Sequence, residues 1–156
     1  MSDTKIIKVH SKDRGEELGD LFGIFFEDLN HAADGGLYTE LVQNRSFEFN
    51  PIDHREDHAL TAWEKVERGE AKVEVLVENE NPLNENNRNY LTLSVEEPGT
   101  GAGIMNVGFN TGIPVRKGEN YKFSCFARSA SNSTKLVAIA LKSLEGRVYA
   151  QGEITV

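Results

Sequence analysis

From about residue 42 onward, apolar residues recur at every second position, and this period limits the possible folds more than any other feature of the chain. Val73, Val75 and Val77 alternate in "KVEVLVEN", Leu91, Leu93 and Val95 in "NYLTLSVEE", and Tyr121, Phe123 and Cys125 in "YKFSCFARS". Successive side chains of a strand point to opposite faces, so each segment predicts a strand with one apolar face. Two further β-rich runs, "KLVAIALKSL" and "RVYAQGEITV", end the chain. Between them lie "NPLNENNRN", "EPGTGAG", "RKGEN", "SASNS" and "LEGR", all rich in the residues that make turns. "GTGAG" reads as a turn by default. Many short strands with such separators predict an all-β antiparallel sandwich or jelly roll over residues 42–156.

The first forty residues follow another grammar. "TKIIKVH" is a short strand candidate, and "LFGIFF", residues 21–26, is a continuous apolar run that suits a strand covered on both faces. In "DGGLYTELVQN", Leu37, Tyr38, Leu41 and Val42 stand at helical spacing, with Asp34 placed to cap the helix. A strand, a polar turn and a helix open a β/α unit, and a piece of that length cannot bury its own layer. Residues 1–41 are therefore expected to be a fragment and 42–156 a domain. "GEITV" stops in strand-like sequence; an edge left open there would recruit another chain, so self-association is expected.

Composition removes several classes of partner. Seventeen Lys and Arg stand against 25 Asp and Glu, and the net charge of −8 opposes binding to a phosphate backbone. Nucleic acid is not an expected partner. No window approaches the roughly 18 consecutive apolar residues of a membrane span, and the N-terminus lacks the apolar stretch of a secretory signal. The expectation is a soluble, cytoplasmic chain. The one cysteine, Cys125, leaves no internal disulfide or cysteine-based zinc site, and its place in an alternating segment predicts a small core residue.

The polar cluster after "LFGIFF" holds Glu27, Asp28, Asn30 and His31. Glu27 and Asp28 are neighbours, so on a strand they face opposite ways and cannot flank one glycosidic bond. His54 and His58 in "DHREDH" have i, i+4 spacing, but Arg55 stands where a metalloprotease needs glutamate, and a solvated loop is expected. No nucleophile elbow, phosphate loop or dinucleotide fingerprint is present. Sugar binding fits the second part better. Aromatic faces meet the apolar side of a sugar ring while amides and carboxylates take its hydroxyls. Trp63, Tyr90, Phe109 and Tyr149 are the candidate platforms; Asn87, Asn106 and Asn110 are the candidate amides. Each has a structural alternative, Trp63 as a core residue and "NENNRN" as loop chemistry.

"LFGIFFEDLNHAADGGLYTELVQNRSFE" strongly resembles the start of bacterial family-51 type α-L-arabinofuranosidases that carry an inserted carbohydrate-binding module of the 4/9 type. The resemblance implies that the apolar run is the first strand of a (β/α)8 barrel and that Glu27 and Asn30, at its C-terminal end, line the arabinose pocket. "QNRSFEFN", "ALTAWEKV", "NYLTLSV", "GIMNVGFNTGIPVRKGENYKFSCFARS" and "VYAQGEITV" look like the 4/9-type module, a galactose-binding-domain-like jelly roll opening with Asn, two residues, Phe and Glu, followed later by Trp. Such modules often hold a structural calcium, to which Glu48 would contribute; calcium takes about six to eight oxygens, and only this one side chain can be named. No other cofactor is implied. The family's acid and nucleophile, glutamates of later barrel strands, have no counterpart here, so the chain alone is expected to hydrolyse nothing.

The leading expectation is thus a non-catalytic sandwich that binds arabinan, arabinoxylan or xylan through Trp63, Tyr90, Asn106, Phe109 and Asn110, beside a barrel fragment bearing Glu27 and Asn30. Two alternatives stay open. One is an active glycosidase relying on Glu27, and the other a sandwich with a purely structural role in an arabinofuranosidase.

Overall fold

Apolar residues at every second position call for a partner strand whose apolar side chains stand opposite, and the valines of the 72–78 segment find one. In the computed structural model, β1 (Trp63–Arg68), β2 (Lys72–Glu78), β3 (Tyr90–Glu97), β4 (Gly101–Asn106), β5 (Leu136–Lys142) and β6 (Val148–Thr155) form three antiparallel pairs, β1–β4, β2–β3 and β5–β6. The structure describes residues 39–130 and 135–156, together with Lys8, Lys12, Gly15, Ala33 and Leu37. The chain divides into two units, Met1–Thr39 and Glu40–Val156, and all six strands lie in the second. The expected strands at 4–10, apart from Lys8, and at 21–26 lie outside the described residues.

The β2–β3 register sets Val73 opposite Val95, Val75 opposite Leu93 and Val77 opposite Leu91. All six therefore share one face, and Val73, Val75 and the preceding Ala71 form the buried apolar core among the described residues. Burying a branched aliphatic side chain of this size contributes about 1.5 to 3 kcal/mol. β1 and β4 enclose this hairpin in sequence and pack against it. At the bulge between Lys72 and Val73, side chains of β1 take over the backbone pairing. Glu67 Oε1 accepts from the Val73 N–H at 2.8 Å, and Lys65 Nζ donates to the Val73 carbonyl at 3.3 Å.

β5 and β6 pack on each other and on neither of the other pairs. Their apolar face carries Val137, Ile139 and Leu141 opposite Ile154, Gly152 and Ala150. The turn between them closes on Ser143, whose Oγ accepts from the Arg147 N–H at 3.2 Å. A hydrogen bond from the same Ser143 side chain, then one from the backbone of Glu145, holds the Glu145 carboxyl below its ordinary range.

Three expectations are corrected. Residues 39–42 form no helix: the Val42 N–H turns to Glu40 Oε1 at 2.8 Å, and Asn44 takes a positive φ of 51°. A local side-chain acceptor competes with helix nucleation, which six residues of helical spacing are too few to drive. "YKFSCFARS" joins no ladder, and Cys125 is exposed rather than a core residue, along with Tyr121, Phe123 and Phe126. Alternation specifies which face would be buried, and no described strand lies alongside to bury it. "GTGAG" is mostly strand, with Gly101, Ala102 and Gly103 in β4 opposite Arg68, Glu67 and Val66.

The turn function falls instead to Gly99, at φ 48°, packed onto the β1–β2 turn. A Cβ there would lie 2.5 Å from Ala71 N and Gly69 O, closer than any real contact. We expect Gly99→Ala to destabilise the folded chain by at least about 1 kcal/mol, because the left-handed backbone and the clash add. A urea midpoint unchanged by the substitution would refute this packing of the turn.

Candidate functional site

The motif Asn44, Phe47, Glu48, Trp63 is brought together around one amide. Asn44 is the sole buried polar residue among those described, 4% exposed. A buried amide must pair its two donors and its acceptor oxygen. Its Nδ2 donates to the carbonyls of Ala59 at 2.9 Å and Thr61 at 3.0 Å. Its Oδ1 accepts from the backbone N–H groups of Glu48 at 3.0 Å and Phe49 at 3.2 Å. The Asn44 carbonyl accepts from Trp63 Nε1 at 3.0 Å and from the Phe47 N–H at 3.1 Å. Phe47 and Trp63 meet with ring centroids 5.3 Å apart, tilted by 41°. This latch joins the entry to the second unit, the loop before β1, and β1 itself.

The loop it holds, residues 50–62, is a succession of tight turns. Asn50 Oδ1 accepts from the Ile52 N–H, and the carbonyls of Asn50, His54, His58 and Leu60 accept from the N–H groups of Asp53, Asp57, Thr61 and Trp63. His58 is fixed twice: its N–H donates to Thr61 Oγ1 at 2.8 Å, and its Nδ1 accepts from the Leu60 N–H at 3.2 Å. Between this loop and the end of β4 lies an open depression of about 400 Å³, lined by Leu60, Trp63 and Val107 on one hand and His54, Asp57 and His58 on the other.

The expected site residues are distributed as follows. Trp63 and Asn106 are register partners on β1 and β4. Their polar atoms are already used: Trp63 as above, and Asn106 by donating to the Gln43 carbonyl at 2.9 Å and accepting from the Gly108 N–H at 3.0 Å. Phe109 and Asn110 follow in a turn closed by the Gly112 N–H on the Phe109 carbonyl at 2.9 Å; Phe109 is half-buried, and Asn110 is exposed with φ 50°. Tyr90 starts β3, and the Arg128 guanidinium lies 5.1 Å over its ring. Tyr149 on β6 has Arg147 over it at 5.7 Å. Asn87 sits in an exposed turn and accepts at 3.4 Å from Ser46 Oγ. Trp63, Asn106, Phe109 and Asn110 thus cluster around the end of β4, away from β5–β6. Glu27 and Asn30 lie outside the described residues.

Glu48 is exposed and enters the latch through its backbone N–H rather than its carboxylate. Among the described residues no three His, Cys, Asp or Glu side chains gather into a group that could hold a metal ion. No described helix is long and apolar enough to cross a membrane. The role of Asn44 was missed by sequence reasoning, although its place at the head of the quoted pattern was the signal that could have found it.

Over 151 residues, 96% of its length, the chain is 44% identical to an extracellular exo-α-L-arabinofuranosidase of Streptomyces chartreusis. The chain is similar to a segment of arabinofuranosidases. It is 34% identical over 110 residues to α-L-arabinofuranosidase A of Aspergillus kawachii, and 31% identical over 131 residues to α-L-arabinofuranosidase 1 of Arabidopsis thaliana. These matches cover 70% and 81% of the chain. The chain spans 17%, 16% and 18% of the length of these three relatives. No protein-family model and no solved structure matches it.

Asn44→Ala removes four side-chain hydrogen bonds at a buried position. At about 0.5 to 1.5 kcal/mol each, the loss is at least about 2 kcal/mol, which a denaturant titration followed by Trp63 emission would register. A stability within about 0.5 kcal/mol of the unaltered chain would mean that the latch does not hold the fold.

Proposed function

We propose that the chain is a non-catalytic, carbohydrate-binding region of a glycoside hydrolase that acts on arabinose-containing polysaccharides. The observation that carries this reading is the 44% identity to an arabinofuranosidase across nearly the whole chain. In this proposal residues 42–156 are the β-sandwich of a 4/9-type module. Antiparallel pairs with one apolar face, β2–β3 and β5–β6, are the kind of layer such a sandwich is made from. In the same proposal residues 1–41 correspond to the start of the arabinofuranosidase barrel, and Glu27 and Asn30 to residues of its arabinose pocket. In this proposal the region binds and does not cleave.

A second reading, a sandwich that only supports an arabinofuranosidase barrel, is favoured by one observation. The polar atoms of Trp63 and Asn106 are spent on the protein's own backbone.

Calorimetric titration of the purified chain with arabino-, xylo- and gluco-oligosaccharides, with and without calcium, separates the two. Saturable binding to the arabinose- or xylose-based sugars is expected, with no release of p-nitrophenol from an aryl arabinofuranoside. A flat panel from folded protein would favour the supporting role, in which Trp63→Ala costs about 3 to 5 kcal/mol of stability and alters no binding. Turnover that disappears in Glu27→Gln would overturn the non-catalytic assignment.

A further inference from the structure

We infer that the depression beside the Asn44 latch is the place where one neutral sugar ring is held, with Trp63 and Leu60 against its apolar side and His58 and Asp57 on its hydroxyls. This rests on the carbohydrate-binding reading above and adds to it a location.

The opening, at about 400 Å³, falls within the range of about 300 to 1,000 Å³ typical of small-ligand sites. Its lining has two characters, as a sugar has: Leu60, Trp63 and Val107 offer apolar surface to C–H groups, while His54, Asp57 and His58 offer polar atoms to the hydroxyl rim. The polar half is set for a group that both donates and accepts. Because His58 Nδ1 already accepts from the Leu60 N–H, the neutral ring carries its proton on Nε2, which can donate. Asp57, on the same lining, brings a carboxylate that can serve as an acceptor. A hydroxyl is the commonest group that satisfies a donor and an acceptor at once.

Other ligand classes fit less well. Glu56 and Asp57 on the lining oppose a phosphate or a uronate. A metal ion would need a third ligand side chain that the described residues do not gather. Of the other aromatic candidates, Tyr90 has the Arg128 guanidinium over its ring and Tyr149 has that of Arg147. The loop is also fixed in advance, since Asn44 grips the Ala59 and Thr61 carbonyls and the turns from Asn50 to Trp63 are closed. A rigid site loses less freedom on binding than a mobile one.

Trp63 lines this depression and is the only tryptophan of the chain, so all tryptophan emission comes from this position. The test is a titration of the full chain with neutral arabino- and xylo-oligosaccharides, read by tryptophan emission and by calorimetry in parallel. The expected result is a saturable emission change whose midpoint agrees with the heat. Asp57→Asn and His58→Gln should each weaken binding about tenfold or more, the scale of one hydrogen bond to a charged or fixed partner. Circular dichroism melts of both variants separate a loss of affinity from a damaged fold. Heat of binding with unchanged emission, unaffected by either variant or abolished by Tyr90→Ala, would overturn the location while leaving the carbohydrate reading in place. Neither heat nor emission change with any glycan would remove both.

Discussion

The fold of the second unit depends on how one buried amide is satisfied. An asparagine side chain taken out of water must recover its hydrogen bonds, and Asn44 does so with backbone groups from two later stretches of the chain, Glu48 and Phe49 just after it and Ala59 and Thr61 just before β1. Because each partner is a main-chain group, the amide fixes where the chain runs rather than which side chains surround it. Its positive φ bends the chain back so that its own carbonyl reaches Trp63 Nε1. The Phe47–Trp63 contact then covers this polar knot on one side with apolar surface, where each hydrogen bond is stronger than it would be in water.

That arrangement separates two properties that residue type alone confuses. Tryptophan, tyrosine and asparagine are the residues that read sugars, and they are also the residues that tie loops to strands. Trp63 and Asn106 are anchored by internal hydrogen bonds, and Tyr90 by a guanidinium. An anchored aromatic still has a face to offer, and anchoring makes that face more useful because its position is already determined. Structural and recognition roles are therefore compatible at Trp63, whereas the amide of Asn106 has both its ends committed.

How much of this was legible in the sequence follows from what a period of two encodes. β2 and β3 were visible because their valines and leucines alternate, and β5 and β6 because their runs are long and branched. β1 was not visible: in "WEKVER" the apolar residues Trp63 and Val66 are three apart, a spacing that says nothing of a strand. β4 was hidden by Gly101 and Gly103, which read as a turn until Arg68 and Val66 are seen opposite them. The reverse failure occurred at residues 121–129, where alternation was present without a partner strand. The quoted Asn, Phe, Glu, Trp pattern marked the right residues of the candidate site, but their spacing could not show that Asn44 was the hub or that Glu48 would contribute its backbone.

The independence of the β5–β6 pair has a consequence for how the molecule comes apart. A two-stranded hairpin without another layer is marginal in water, and among the described strands β5–β6 packs on no other pair, whereas β1–β4 packs on β2–β3. Heat or denaturant should therefore open the chain in stages, the last hairpin exchanging its amide protons with solvent under conditions where the Asn44 knot is still closed. A single midpoint would not describe such a molecule, and the indole at position 63 would remain silent through the first stage.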